Sequence, residues 1–230
     1  YIEDVYEIPE YPYFGWGRGR YTAEEMKWMD EFAAGFGIEL IPAIQTLAHL
    51  RQIFRWPVFR DVHDLDDILL AGEEKTYQLI DAMFRTLSSC FSSRRINIGM
   101  DEAHMVGLGK YLDKHGFQDR MKIMLDHFQR VHQLANKNGL HPMMWSDMFF
   151  RLAAGGEYYA ENCRIDPRIR ESIPEDVSLV YWDYYSEKKS TYDNMLDRHR
   201  EMADHIIFAG GAWKWMGFCP NNHYSLKIAR

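Results

Sequence analysis

The feature that most constrains this chain is an alternation of short apolar, β-branched segments with long amphipathic ones, repeated along 230 residues. Thr22-Ala23-Glu24-Glu25 has capping-box spacing, with Thr at the N-cap and Glu three residues on. It leads into Met26, Met29, Phe32 and Ala33, which predicts a helix closed by Gly35 and Gly37. Ile38 to Ile44 follows as a strand, then a helical region over about 66–89, then a strand from Arg95 to Met100 that ends at Asp101-Glu102. Phe117, Met121, Met124, Leu125, Phe128, Val131 and Leu134 share one face of a helix expected over about 117–138 and ended by Gly139. Further strands are expected at 140–146, 177–182 and 205–209, with helices near 189–203 and from Asn222 onward.

Counting Ile2-Glu3, these segments give six strand ends with no antiparallel hairpin signal, which calls for parallel strand–helix–strand units. Such units close into a barrel or spread into a doubly wound sheet. No strand-to-helix turn carries GxGxxG or GxxxxGK[ST], whereas nearly every strand ends in acidic or aromatic residues. Barrel active sites are assembled from such C-terminal strand ends, so the barrel is favoured. The expected fold is a (β/α)8 TIM barrel, α/β in class, forming one domain over residues 1–230. It is expected to be incomplete, truncated at both ends with about strands 2 to 7 present, since the first residue is Tyr1.

A 47% hydrophobic, 15% aromatic composition is enough to bury one large core. The formal charge of -7 is spread along the length and leaves no basic stripe for a phosphate backbone, so nucleic acid is not an expected partner. Cys90, Cys163 and Cys219 are odd in number and far apart, with no CxxC or HxxxH company. They read as neutral or buried thiols rather than a disulfide framework or zinc site, and neither metal nor cofactor is expected. No stretch approaches the roughly 18 consecutive apolar residues of a membrane span. The chain reads as soluble and not membrane-bound, with the cytoplasm favoured.

The chemistry centres on Ile96-Asn97-Ile98-Gly99-Met100-Asp101-Glu102, which brings two adjacent carboxyls to a strand end. Successive strand side chains point oppositely, so the pair can serve one site only if the chain turns, through Gly99 and a helix that follows. Alternatively Asp101 is an N-cap and Glu102 sits in the first turn of that helix. Other strand ends weigh toward a site. Gln45-Thr46 and His49 follow the preceding strand, and Trp145-Ser146-Asp147, Trp182-Asp183-Tyr184-Tyr185 and Trp213-Lys214-Trp215 end the later ones. A single strand-end Trp is usually core. Three in succession form a wall of π-faces able to hold a sugar ring or an acetamido methyl, which makes carbohydrate the expected substrate class. The loop from Glu7 to Gly19, with Tyr11, Tyr13, Phe14, Trp16 and Arg18, followed by Arg20, either floors a substrate cleft or packs over the barrel mouth.

Ile98-Gly99-Met100-Asp101-Glu102 resembles the signature of glycoside hydrolase family 20, the β-N-acetylhexosaminidases. Glu3-Asp4, Arg18-Gly19-Arg20-Tyr21-Thr22, Ile44-Gln45-Thr46, Trp182-Asp183-Tyr184-Tyr185 and Gly211-Ala212-Trp213 extend the similarity over essentially the whole chain. The resemblance implies exo-hydrolysis of terminal N-acetylglucosamine or N-acetylgalactosamine from glycans. It implies retention by substrate assistance, in which the sugar's own acetamido oxygen attacks the anomeric carbon, outside the two-carboxylate scheme. By the same resemblance Glu102 protonates the departing oxygen and later activates water, while ionised Asp101 holds the acetamido N–H and stabilises the oxazolinium charge. Trp145, Trp182 and Trp213 would pack around the acetamido methyl and the ring, with Asp147 and Arg18 as further substrate contacts. Tyr184 or Tyr185 would bond the acetamido carbonyl, although in familiar members that tyrosine sits one strand later. His49 with Glu3 or Asp4 matches a relay supporting the acid; the other reading is a rim histidine satisfied by a nearby carboxylate. His104 reads as helix surface or a supporting donor. The family's sugar-gripping arginine near the first strand, and its final strand, have no counterpart in these residues. Two other readings stay open: a retaining glycosidase with Asp147 or Asp183 as a separate nucleophile, and a barrel that binds N-acetylated glycans without cleaving them.

Overall fold

The computed structural model describes residues 1–160, 163–215, 218 and 222–229, so Cys219 lies outside the described residues. The chain forms two compact units, residues 1–143 and 144–230.

In the first unit, helix α1 (Ala23–Ala34) begins with the expected capping box, Thr22 and Glu25 each accepting the other's backbone N–H. Met26 and Ala33 are buried, but Phe32 is exposed, stacked on Trp28 and tilted against Phe36 at centroid distances of 5.3 and 5.1 Å, so it is not a core residue. Two 3-10 turns, Ile53–Arg55 and Pro57–Val62, lead to an antiparallel pair, β1 (His63–Leu65) and β2 (Ile68–Leu69). This hairpin corrects the helix expected from residue 66. Asp66 adopts φ 51° and Gly72 φ 82°, left-handed conformations that break helical continuity until α2 (Glu74–Cys90).

Strand β3 (Arg95–Asn97) follows, then α3 (Lys110–His115), α4 (Arg120–Lys137) and β4 (His141–Trp145). Asp119 caps α4 by accepting from the Met121 and Lys122 N–H groups, which leaves Phe117 outside the helix and 74% exposed rather than on its apolar face. Helices α2 and α4 bury Leu79, Ile80, Met83, Phe84 and Leu87, and Met124, Phe128, Val131 and Ala135. Each large apolar side chain so buried contributes about 1.5–3 kcal/mol. β3 pairs in parallel with residues 141–143 of β4.

The segment 38–44 reduces to a single parallel bridge, Ala43 with Asn97. Pro42 has no N–H to give a ladder, though its carbonyl accepts from Asn97 N at 2.9 Å, and Ile44 N donates to Asn97 O at 2.9 Å. The Ile2 and Glu3 N–H groups both reach Ala43 O at 3.0 Å, so this end of the chain is tied beside the bridge without being a strand.

The second unit opens within β4 and continues through α5 (Asp147–Ala153), α6 (Pro167–Ser172), β5 (Ser178–Asp183), α7 (Lys189–Met202), β6 (His205–Gly210) and α8 (Asn222–Ile228). β5 and β6 pair in parallel over their whole lengths. From Leu179 to Asp183, β5 is buried on both faces, as in helix-covered parallel sheets. His199 on α7 bonds Ser146 Oγ and the Met195 carbonyl, both at 2.6 Å, and burial lowers its pKa to about 4. Among the described residues no helix is long and apolar enough to cross a membrane.

Candidate active site

The first unit holds the carboxyl group of candidates. Beyond β3 the backbone enters the left-handed region at Gly99 (φ 73°), Met100 (φ 72°) and Glu102 (φ 49°). No helix starts at Asp101, since the next one begins at Lys110, so neither an N-cap role nor a following helix accounts for the turn. The left-handed residues make it, and they bring both carboxyls to one imidazole. His49 Nε2 lies 3.3 Å from Asp101 Oδ2 and 3.7 Å from Glu102 Oε2.

A second side chain fixes Asp101. Gln45 Nε2 donates to Asp101 Oδ1 at 3.0 Å, and Gln45 Oε1 accepts from Met100 N at 3.3 Å. Gly99 makes room for this amide, because a Cβ there would meet Gln45 Oε1 at 2.1 Å and Ile44 O at 2.6 Å. Thr46 ties the same segment down, its N–H and hydroxyl both donating to Ile98 O at 3.1 and 2.8 Å. Beneath it, buried His127 bonds Thr46 O through Nε2 at 2.9 Å and Tyr77 Oη through Nδ1 at 3.3 Å. Burial lowers the His127 pKa to about 4, and the neutral ring donates to the carbonyl and accepts from the phenol.

His49 itself adopts φ 59°. Its hydrogen bond to Asp101 is the largest influence on its pKa, which stands at about 9 despite partial desolvation; Glu102 and Asp67 add to the rise. Asp67, in the β1–β2 turn, places Oδ2 3.8 Å from His49 Nδ1 while its carbonyl accepts from Leu50 N at 3.0 Å. Asp4 is nearly buried and is engaged instead by Arg18, with Nη1 at 3.0 Å from Oδ1. Burial raises the Asp4 pKa against the pull of Arg18. Glu3 sits next to it in a left-handed conformation, φ 48°. His104 lies on an exposed turn whose carbonyls, His104 O and Val106 O, are held by Arg120. The loop from Glu7 to Gly19 divides. Phe14 is buried against Tyr6 and Tyr11 stacks on Phe59, while Tyr13 and Trp16 remain exposed.

The second unit holds the aromatic group. Buried Trp182 stacks on Tyr184 at 5.3 Å, Tyr184 meets Trp215 at 5.4 Å, and Trp215 stacks on Trp213 at 5.3 Å. Tyr185 packs edge-on against Trp213 at 5.2 Å, and the Trp213 indole N–H donates to Tyr184 O. Asp183 accepts from Tyr181 Oη at 2.8 Å and from the Tyr185 and Ser186 N–H groups at 2.9 Å, which fixes the turn presenting the two tyrosines. Trp145 is buried at the end of β4. Asp147 is 0% exposed with Arg151 Nε at 2.9 Å, and Asp183 is 1% exposed, so neither presents a carboxylate to solvent.

Three further residues belong to these groups: Asp67, Trp215 and Tyr159, whose hydroxyl donates to Trp182 O at 3.3 Å. Trp215 was signalled by its period-2 spacing from Trp213. Asp67 was hidden inside an expected helix, and Tyr159 lies in a loop with no periodicity to mark it.

The family described as "Glycosyl hydrolase family 20, catalytic domain" matches residues 15–194. Human hexosaminidase D (Homo sapiens) is 25% identical over 176 residues, 73% of this chain and 34% of its own length. Bovine hexosaminidase D (Bos taurus) is 23% identical over 206 residues, 85% of this chain and 54% of its own length. The chain thus spans between a third and just over half of these relatives. A GH20 exo-β-N-acetylglucosaminidase from Vibrio harveyi, solved in complex with N-acetylglucosamine, superposes with a TM-score of 0.63. It is 16% identical and covers 90% of this chain and 35% of its own. The likeness is one of fold, and the fold is that of the (β/α)8 barrel.

Proposed function

The chain belongs to glycosyl hydrolase family 20, and from that premise we propose that it carries the acid/base centre of a retaining exo-β-N-acetylhexosaminidase. The substrates proposed are glycans ending in N-acetylglucosamine or N-acetylgalactosamine. The observation that carries this reading is the left-handed turn that sets Asp101 and Glu102 on the same His49 nitrogen, 3.3 and 3.7 Å away.

In this proposal the Glu102 carboxyl, 41% exposed, gives its proton to the departing glycosidic oxygen and then takes one from the attacking water, a role that contributes typically 10²–10⁴-fold. The Asp101 carboxylate receives the acetamido N–H, turns the acetamido oxygen toward the anomeric carbon, and offsets the positive charge of the oxazolinium that forms. His49, protonated at neutral pH, pairs with the Asp101 carboxylate. Within the second unit, Trp182, Tyr184, Tyr185 and Trp213 are proposed as side chains able to hold a sugar through ring faces and tyrosine hydroxyls. Burial of Asp147 and Asp183 favours a nucleophile supplied by the substrate over either carboxylate. A cytoplasmic setting belongs to the same proposal, supported by the free, buried thiols of Cys90 and Cys163.

The test is turnover of aryl N-acetyl-β-glucosaminide and -galactosaminide by the protein and by its E102Q and D101N variants. A loss of at least about a hundredfold in kcat for each variant supports the assignment. Variants as active as the parent would remove both roles, and no turnover with retained glycan binding would favour the non-cleaving barrel.

A further inference from the structure

Resting on the function proposed above, we infer that Gln45 is a positioning residue that holds the Asp101 carboxylate in its working orientation. Asp101 has two oxygens and each is engaged: Oδ2 by His49 Nε2 at 3.3 Å, Oδ1 by Gln45 Nε2 at 3.0 Å. The imidazole is a partner shared with Glu102. Of the two carboxyls, the amide NH2 is bonded to Asp101.

The orientation of the amide is set by its partners. Met100 N is a donor and must face the amide oxygen, which lies 3.3 Å away, so the NH2 is turned toward Asp101 and toward a carboxylate that only accepts. Gln45 is 4% exposed, so its hydrogen bonds are not traded against water. Its place is secured from three sides. Gly99 leaves no Cβ in the path, the flanking Ile44 N–H is bonded to Asn97 O, and Thr46 is bonded to Ile98 O. Gln45 therefore reads the backbone of the turn with one end and sets the carboxylate at its apex with the other. A neutral donor at this position pairs with the Asp101 oxygen, whereas a second carboxylate would repel it.

The test is Q45E, which keeps the shape and the acceptor for Met100 N but turns the Asp101-facing donor into an anion. The pH profile of kcat/KM is measured for the parent, Q45E, D101N and Q45E/D101N. Two carboxylates at this distance cannot both ionise freely, so Q45E is expected to move the acidic limb upward by roughly one pH unit or more. Its kcat near neutrality is expected to fall at least tenfold with KM nearly unchanged. In the double variant the amide introduced by D101N can donate to the carboxylate introduced by Q45E, so adding Q45E to D101N is expected to cost less than threefold more. A D101N defect together with a Q45E profile like the parent's would overturn the Gln45 assignment alone. Parent-like activity in D101N would overturn the underlying function instead. If Q45E does not fold, as judged by circular dichroism, Q45M carries the test: it removes both hydrogen bonds without adding charge and is expected to lower kcat at least tenfold, and a parent-like kcat would reject the inference.

Discussion

Among the described residues, the non-glycine positions with positive φ are Glu3, His49, Asp66, Met100, Glu102 and Trp213, and each is a candidate site residue or the immediate neighbour of one. A left-handed conformation costs an L-residue about 1–2 kcal/mol, so it persists only where surrounding bonds hold it. Around Met100 and His49 those bonds come from Gln45, Thr46 and Asp67, while Ala43 O accepts from Glu3 N and Tyr184 O from the Trp213 indole. His49 gives a direct prediction at this scale. Its folded pKa of about 9 lies above the ordinary value of 6.5, so the stability it adds is fully present below 6.5 and is lost as pH rises through about 9. The excess in Tm of the parent over H49Q should therefore shrink between those limits, and a constant difference would contradict the charged pairing. Asp101, Glu102 and His49 were legible because they stand at strand ends in a recognisable motif. The left-handed turn that unites the first two was not, since Met100 and Glu102 carry no residue-type signal for positive φ. Asp67 was not legible because a two-residue acidic turn looks like the charged face of a helix.

At the scale of elements, the turn after β3 depends on the close approach of residues 44–46. Gly99→Ala adds a methyl at φ 73°, aimed at a side-chain oxygen 2.1 Å away and a carbonyl 2.6 Å away. Backbone strain of about 1–2 kcal/mol and overpacking of about 1–3 kcal/mol predict a clear fall in the urea midpoint, and an unchanged midpoint would mean that the turn is free to shift. His127 joins α4 to this segment and makes it acid-sensitive. Its pKa, depressed from 6.5 to about 4, means that its contribution is intact above 6.5 and disappears as pH falls toward 4. His199 behaves alike in the second unit. Urea midpoints should drop across that window, and H127Q, which can still donate to Thr46 O, should flatten the drop. A slope equal to the parent's would exclude His127 as a source. The long helices were readable from caps and periodicity, α1 nearly to the residue, whereas α4 starts at Arg120 rather than 117 and the short helices α3, α5 and α6 gave no signal. The hairpin β1–β2 was not, because strands of three and two residues are too short for alternation to register.

At the scale of the molecule, strand–helix alternation selected the parallel α/β class, as the β3–β4 and β5–β6 pairings through helical crossovers show, while acidic and aromatic strand ends without a phosphate-loop motif selected the barrel. Family membership covers residues 15–194, and the relatives matched are longer than this chain. The proposed function asks one narrow thing of the molecule: that a substrate's own acetamido oxygen replace an enzyme nucleophile. Fluorine on the N-acyl methyl drains electron density from that oxygen and scarcely touches the rest of the sugar. The most direct measurement is kcat/KM for aryl β-glucosaminides bearing acetyl, fluoroacetyl, difluoroacetyl and trifluoroacetyl groups. Substrate assistance predicts a steep fall with each fluorine added. A flat series, with a 2-fluoro sugar trapped covalently on Asp147 or Asp183, would contradict it.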